Sequence, residues 1–261
     1  MFLKTEIAKG VSLHIRQTAQ FKTVNFSITW RAPLIEETAA ERTVLSNVLQ
    51  HSNEKFPTAA SYRSYLDDLF GTVLYFDTTK RGQEHTVLLN VETVNDQYLS
   101  HGNVLNEVIS LLQEAIFKPN FENGVFKEAI VKREKEMVIQ RIQSIFDDKS
   151  RYAQKRLTEI MRPNSAASIS ANGTIETVKA ITPQSLTKTY EEMIANDVID
   201  TYVVGDINVQ EMTEQLKAAF PFADRNVPQS TKENSTSTKV EPYTKETQEM
   251  KQGKLHIGYS T

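Results

Sequence analysis

Early in the chain the spacing of apolar residues changes once, and sharply. Leu13 and Ile15, then Val24, Phe26, Ile28 and Trp30, recur at every second position, whereas Ala40, Val44, Leu45, Val48 and Leu49 recur at steps of three and four. A period of two sends side chains to alternate faces of a strand, and a period near 3.6 gathers them into one stripe of a helix. Residues 11–31 therefore read as a pair of strands, and residues 36–51 as an amphipathic helix. On that helix Thr43, Ser46 and Asn47 share a face distinct from the apolar stripe.

The same two periods organise the rest of the chain. Strands are expected over 72–79, 86–93 and 199–204, and helices over 58–69, 98–117, 122–148, 151–161, 174–180, 183–195 and 208–219. Because strands and helices do not alternate strictly, the expected class is α+β, an antiparallel sheet with helices packed on one face. Beyond Phe222 the composition turns to Ser, Thr, Lys, Glu, Gln and Pro, so residues 223–252 are expected to be a flexible linker. Gly253-Lys254-Leu255-His256-Ile257-Gly258 then echoes Gly10-Val11-Ser12-Leu13-His14-Ile15. The expected division is a first domain over 1–222, the linker, and the first strand of a second homologous unit over 253–261.

Composition excludes several function classes. The 30 basic and 33 acidic residues are mixed along the chain for a net charge of −3, which offers no basic field to nucleic acid or anionic membranes. No apolar run approaches the ~18 residues of a membrane span, and Met1–Gly10 does not read as a signal segment, so the expected location is cytoplasmic. There is no cysteine, and His14, His51, His85, His101 and His256 form no ligand-spaced pair. No phosphate-binding glycine loop or Gly-x-Ser-x-Gly elbow is present. Asp67-Asp68 and Asp147-Asp148 are adjacent on helices, diverge in direction, and read as solvated surface. His85 reads as a strand residue, and His51 as a partly exposed helix-end residue suited to the C-terminal dipole.

Six segments, in order, resemble a known family over about residues 10–222. They are Glu54-Lys55-Phe56-Pro57-Thr58; Leu69-Phe70-Gly71-Thr72; Glu84-His85-Thr86-Val87; Arg133-Glu134-Lys135-Glu136-Met137-Val138-Ile139; Gly173-Thr174-Ile175-Glu176-Thr177-Val178-Lys179-Ala180-Ile181-Thr182; and Val203-Val204-Gly205-Asp206-Ile207-Asn208, all outside the helix that carries Thr43-Val44-Leu45-Ser46-Asn47. The chain is similar in these to the insulinase, pitrilysin and mitochondrial processing peptidase family, and most of all to its non-catalytic type in Gram-positive bacteria. In active members a His-x-x-Glu-His motif on the first long helix gives zinc two imidazoles and the attacking water a base. A gap-free alignment places Thr43 and Asn47 at the two histidines and Ser46 at the glutamate, while Glu134 matches the third ligand. A gapped alternative reads Asn47-Val48-Leu49-Gln50-His51 as the motif and still leaves at most two ligands.

Thr, Ser and Asn are poor zinc ligands and none is a base near neutral pH, so the resemblance implies a degenerate peptidase. No cofactor is expected, zinc entering only if the motif is misread. The implied role is an inactive subunit that binds or encloses peptide and pairs with an active zinc peptidase sibling, as a heterodimer, or else forms a homodimer. The edge strand that receives substrate in active relatives corresponds to residues 71–78, which makes Tyr75, Phe76 and Thr78 the candidate peptide-binding residues. Two alternatives stay open: a purely structural assembly subunit, and an active zinc peptidase with displaced ligands.

Overall fold

The computed structural model describes residues 1–100, 102–163, 165–227, 243–249 and 251–259. His101 and residues 228–242, the greater part of the expected linker, lie outside the described residues.

Eight strands and eight helices are described. In chain order they are β1 (Leu3–Ala8), β2 (Val11–Gln17), β3 (Thr23–Pro33), α1 (Glu36–His51), α2 (Ala59–Asp68), β4 (Val73–Arg81), β5 (Glu84–Val94), α3 (Val104–Phe117), β6 (Phe121–Glu122), β7 (Val125–Phe126), α4 (Glu128–Asp147), α5 (Lys149–Met161), α6 (Ile175–Ala180), α7 (Pro183–Asn196), β8 (Val198–Gly205) and α8 (Val209–Ala219). Six of the strands form one sheet in the order β1-β2-β8-β3-β5-β4. Four of its pairings are antiparallel, and β2 with β8 is parallel, so the α+β class holds with a mixed sheet.

The two strands read between residues 11 and 31 are not neighbours, because β8 lies between them, in register from Val11↔Ile199 on one side and Asn25↔Val204 on the other. The burial of β8 alternates as strictly as that of β3, which suits it to a central position without naming its partners. β1 was not foreseen; it pairs with β2 across Gly10, which has a φ of +74 and where a Cβ would stand only 2.8 Å from Arg225 Cγ. The helix expected over 122–148 starts only at Glu128, since Asn123 and Gly124 take positive φ and turn Phe121–Phe126 into a short hairpin. Likewise α3 starts at Val104, after a 3₁₀ turn over Asp96–Tyr98.

The core lies between one face of the sheet and α1. Val24, Phe26, Ile28 and Trp30 of β3 and Val87, Leu89 and Val91 of β5 are fully buried, together with Val44, Leu45, Val48 and Leu49. α1 is also covered on its other side by α4, α6 and α7, so Thr43, Ser46 and Asn47 are buried as well. Among the described residues no helix is long and apolar enough to cross a membrane.

The chain keeps contacts with the sheet and helices for a few residues beyond Phe222. Arg225, in the stretch read as linker, is buried, donates to the carbonyls of Ile194 and Asp197, and bonds through its N–H to Lys9 O. Residues 253–258 form no strand; His256 and Glu246 bond to Gln154 and Arg156 of α5, while Leu255 and Ile257 stay exposed.

His85 lies on β5 as expected, fully buried on the core face, with no hydrogen-bond partner for either ring nitrogen among the described residues. Burial, and then the charge of Arg42, push its pKa down from 6.5 to about 3. Below pH 6.5 the unfolded chain takes up a proton that the folded chain refuses. Stability is therefore lost as pH falls from 6.5 towards 3, by about 1.4 kcal/mol per pH unit. Asp197, whose carboxyl is raised by burial, works in the opposite sense and is common to wild type and variant. His85→Leu is expected to flatten the stability slope between pH 6.5 and 4.5, read from urea midpoints; an unchanged slope would assign it to other groups.

Candidate functional site: a degenerate metal centre

Each motif position on α1 has its side-chain oxygen bonded to protein. Thr43 Oγ1 donates to Ala171 O at 2.7 Å and lies 3.2 Å from Thr78 Oγ1 on β4. Ser46 Oγ donates back to Thr43 O at 2.9 Å. Asn47 Oδ1 accepts from Arg141 Nη2 of α4 at 3.4 Å. The two hydroxyls and the amide oxygen thus have partners without a metal.

Glu134, the match to the third ligand, is a buried carboxylate on α4, 2 % exposed. Its Oε1 accepts from Arg133 Nε at 2.8 Å and Nη2 at 2.7 Å, and lies 3.4 Å from His51 Nδ1. Burial raises the Glu134 carboxyl, but the hydrogen bonds and charges of His51 and Arg133 outweigh it, and the net shift is downward. The carboxylate is thus ionised and already neutralised by a guanidinium. Among the described residues it has no bond to Thr43, Ser46 or Asn47.

The structure therefore divides what the alignment had joined. Asn47 meets Arg141, and Glu134 meets His51, the imidazole of the gapped alternative. Residues 134 and 141 are two turns apart on α4, roughly 10 Å along its axis, so they face different levels of α1. Neither register gathers a ligand set, and no group of three or more His, Cys, Asp or Glu side chains that could hold a metal ion is present among the described residues. A zinc ion does not fit these residues: the α4 side chain facing Asn47 is a cation, and the one buried carboxylate is held by another.

Sequence reasoning missed Arg133 and Arg141. The signal was available, for Arg133 adjoins Glu134 and Arg141 follows it by seven residues, which is the same helix face. Of the three peptide-binding candidates, Tyr75 is 39 % exposed on the outward face of β4, Phe76 gives its side chain to the core, and Thr78 turns inward to Thr43. Among the described residues β4 is an edge strand, paired only with β5. Its far end is tied down where Lys80 Nζ donates to Ala167 O and Ile169 O, both at 2.7 Å.

With this geometry in place, the likeness to known proteins becomes interpretable. No family model matches the chain. Over 256 residues it is 36 % identical to the "probable inactive metalloprotease YmfF" of Bacillus subtilis (strain 168), covering 97 % of this chain and 59 % of that protein. A conserved protein from Enterococcus faecalis V583 shares the fold at a TM-score of 0.83 and 32 % identity, over 86 % of this chain and 53 % of that one. A peptidase M16 inactive domain from Pseudomonas fluorescens (TM-score 0.68, 13 % identity, 87 % and 53 % covered) and a chain of complex III2 from Candida albicans (0.60, 13 %, 87 % and 48 %) show the fold alone. The chain spans about half the length of these relatives. Over nearly all of its length the chain is thus similar to part of a probable inactive metalloprotease, and its fold is that of an M16 peptidase inactive domain.

Proposed function

We propose that this chain is part of a catalytically inactive, peptidase-like subunit that encloses peptide and pairs with an active zinc peptidase sibling in the cytoplasm. The observation that carries the reading is the loss of the metal-ligating side chains on α1, with cations bonded to two of the motif positions, in an otherwise preserved sheet and helix. Arg141 stands against Asn47 and Arg133 against Glu134, while β4 keeps an unpaired edge beside them. A subunit without a metal site can still supply walls and a docking strand, and a peptide held between two shells reaches a partner's zinc in a near-attack pose that an open half-shell does not provide. The curated relative's designation as a probable inactive metalloprotease supports the loss of chemistry. The division into a first domain, a linker and a second homologous half, which would complete the shell, belongs to the same proposal.

The experiment is co-purification of the full-length protein with its sibling, followed by peptidase assays of each alone and of the two together. Activity is expected only, or at least about tenfold more, in the mixture. A sibling equally active alone, or no complex at micromolar concentration, would favour the structural alternative. One observation favours that alternative: the N–H groups on the open edge of β4 at Phe76 and Thr78 already have partners within the chain.

A further inference from the structure

Those two N–H groups identify how the edge is kept closed. In β4 alternate residues send their main-chain N–H towards β5 and towards the open side. Phe76 N and Thr78 N, two residues apart, both bond to side chains rather than to β5, which places them on the open side. Phe76 N donates to Gln50 Oε1 at 3.3 Å, and Thr78 N donates to Asp77 Oδ1 at 2.8 Å. Gln50 comes from the last turn of α1, one turn beyond Asn47, and Asp77 from the strand itself.

From this pairing we infer that Gln50 and Asp77 form a two-part latch on β4, which an extended peptide displaces in order to add as a strand. The inference rests on the peptide-binding reading and deepens it. A strand that adds to an edge is held by main-chain hydrogen bonds, and the donors it needs are the ones on the open side. Here the two donors are spent on side chains, which is one way sheets protect their edges. The Asp77 bond is the stronger of the two, being short and charge-assisted. Its carboxylate also stands where an incoming carbonyl oxygen would approach, so the two repel.

The latch is reversible because neither component is locked elsewhere. Gln50 is half-buried and Asp77 is exposed. Around them the strand is held fixed, by Thr43 and Thr78 at one point and by Lys80 on the carbonyls of Ala167 and Ile169 at another. The strand therefore stays in place while its edge is capped or uncapped. What changes is the availability of two donors.

The test uses the full chain and a fluorescein-labelled peptide of about ten residues, a strand's length, rich in Val, Thr and Tyr. Gln50→Ala and Asp77→Ala are each expected to tighten binding about fivefold, the worth of one net hydrogen bond. Gln50→Glu keeps an acceptor oxygen and is expected to stay near wild type, while Asp77→Asn keeps the oxygen but loses the charge and is expected to fall between wild type and Asp77→Ala. Amide exchange at Phe76 reads the cap independently and is expected to quicken in Gln50→Ala alone of the two Gln50 variants. Binding by the double alanine variant without binding by wild type would support the latch and overturn peptide capture by the native protein. Equal binding by wild type and every variant would overturn the latch and leave the peptide reading standing. No binding even by the double alanine variant would overturn both.

Discussion

Arg42→Met is expected to destabilise the chain by about 3–5 kcal/mol, the loss typical of removing one partner from a buried ion pair. Arg42 and Asp197 are 4 % and 6 % exposed, with Nη2 and Oδ2 at 2.6 Å. The same Nη2 also reaches Trp30 O at 3.1 Å and His85 O at 3.4 Å, so one guanidinium ties α1 to β3, to β5 and to the residue that leads into β8. Removing it leaves a buried carboxylate with Arg225 as its remaining nearby cation among the described residues. Burial already raises the Asp197 carboxyl against the pull of Arg42, which means that desolvation outweighs the attraction even in the intact pair. It follows that Arg42→Met with Asp197→Leu should recover most of the loss, because the double change removes both charges and their desolvation together. Urea denaturation of the wild type, both single variants and the double variant measures this. A double variant as unstable as the sum of the single ones would show that the carbonyl bonds, rather than the ion pair, dominate.

Arg42 also marks the limit of what the sequence discloses. Its neighbours Ala40, Val44, Leu45, Val48 and Leu49 announce a helix by their spacing, and α1 spans Glu36–His51 as expected. Local pattern sufficed because the period of a helix is written in consecutive residues. Nothing local says that a charged residue on that helix is buried, since burial of Arg42 depends on Asp197, which is 155 residues away. The sheet divides in the same way. The alternation in β3 and β5 is plain, and they pair along their whole length. The insertion of β8 between β2 and β3 is a pairing between segments distant in the chain, and a period of two carries no address for the partner. The hairpin at Phe121–Phe126 is a different case. Asn123-Gly124 is a legible turn signal, and the helical pattern on either side of it obscured it.

The candidate site was legible as an absence and opaque as an arrangement. That Thr43, Ser46 and Asn47 cannot hold zinc follows from residue type alone. Which α4 residue faces them depends on the axial placement of two packed helices, and a shift of seven residues preserves the face while moving the level by two turns. The alignment placed Glu134 through the likeness of the Arg133–Ile139 segment to the helix that brings the third ligand. The structure instead sets Glu134 against His51 and Arg133, and brings Arg141 to Asn47.

That arrangement yields the other large expected effect, which concerns metal binding. The triple variant Thr43→His, Ser46→Glu, Asn47→His restores the family motif on α1, but it is expected not to take up stoichiometric zinc. The new imidazole at position 47 would face Arg141, whose guanidinium repels a divalent cation, while Glu134 remains held two turns of α4 away from Arg141. Adding Arg141→Glu replaces the cation by a carboxylate at the level of Asn47 and completes two imidazoles and one carboxylate, the set that catalytic zinc sites use. The gain over the triple variant is expected to be on the order of a hundredfold or more in affinity, since a positive charge is exchanged for a negative one within a few ångströms of the ion. Metal content after dialysis, with competition against a fluorescent chelator, measures both proteins. Should the triple variant bind zinc well on its own, and lose it when Glu134→Gln is added, then Glu134 does reach the motif and the alignment, not the helix level, is right. The gapped register has its own variant, Asn47→His with Gln50→Glu, which places the motif beside the native His51 and Glu134. Zinc in that protein alone would move the ancestral site one turn along α1, to the level where His51 and Glu134 already stand 3.4 Å apart.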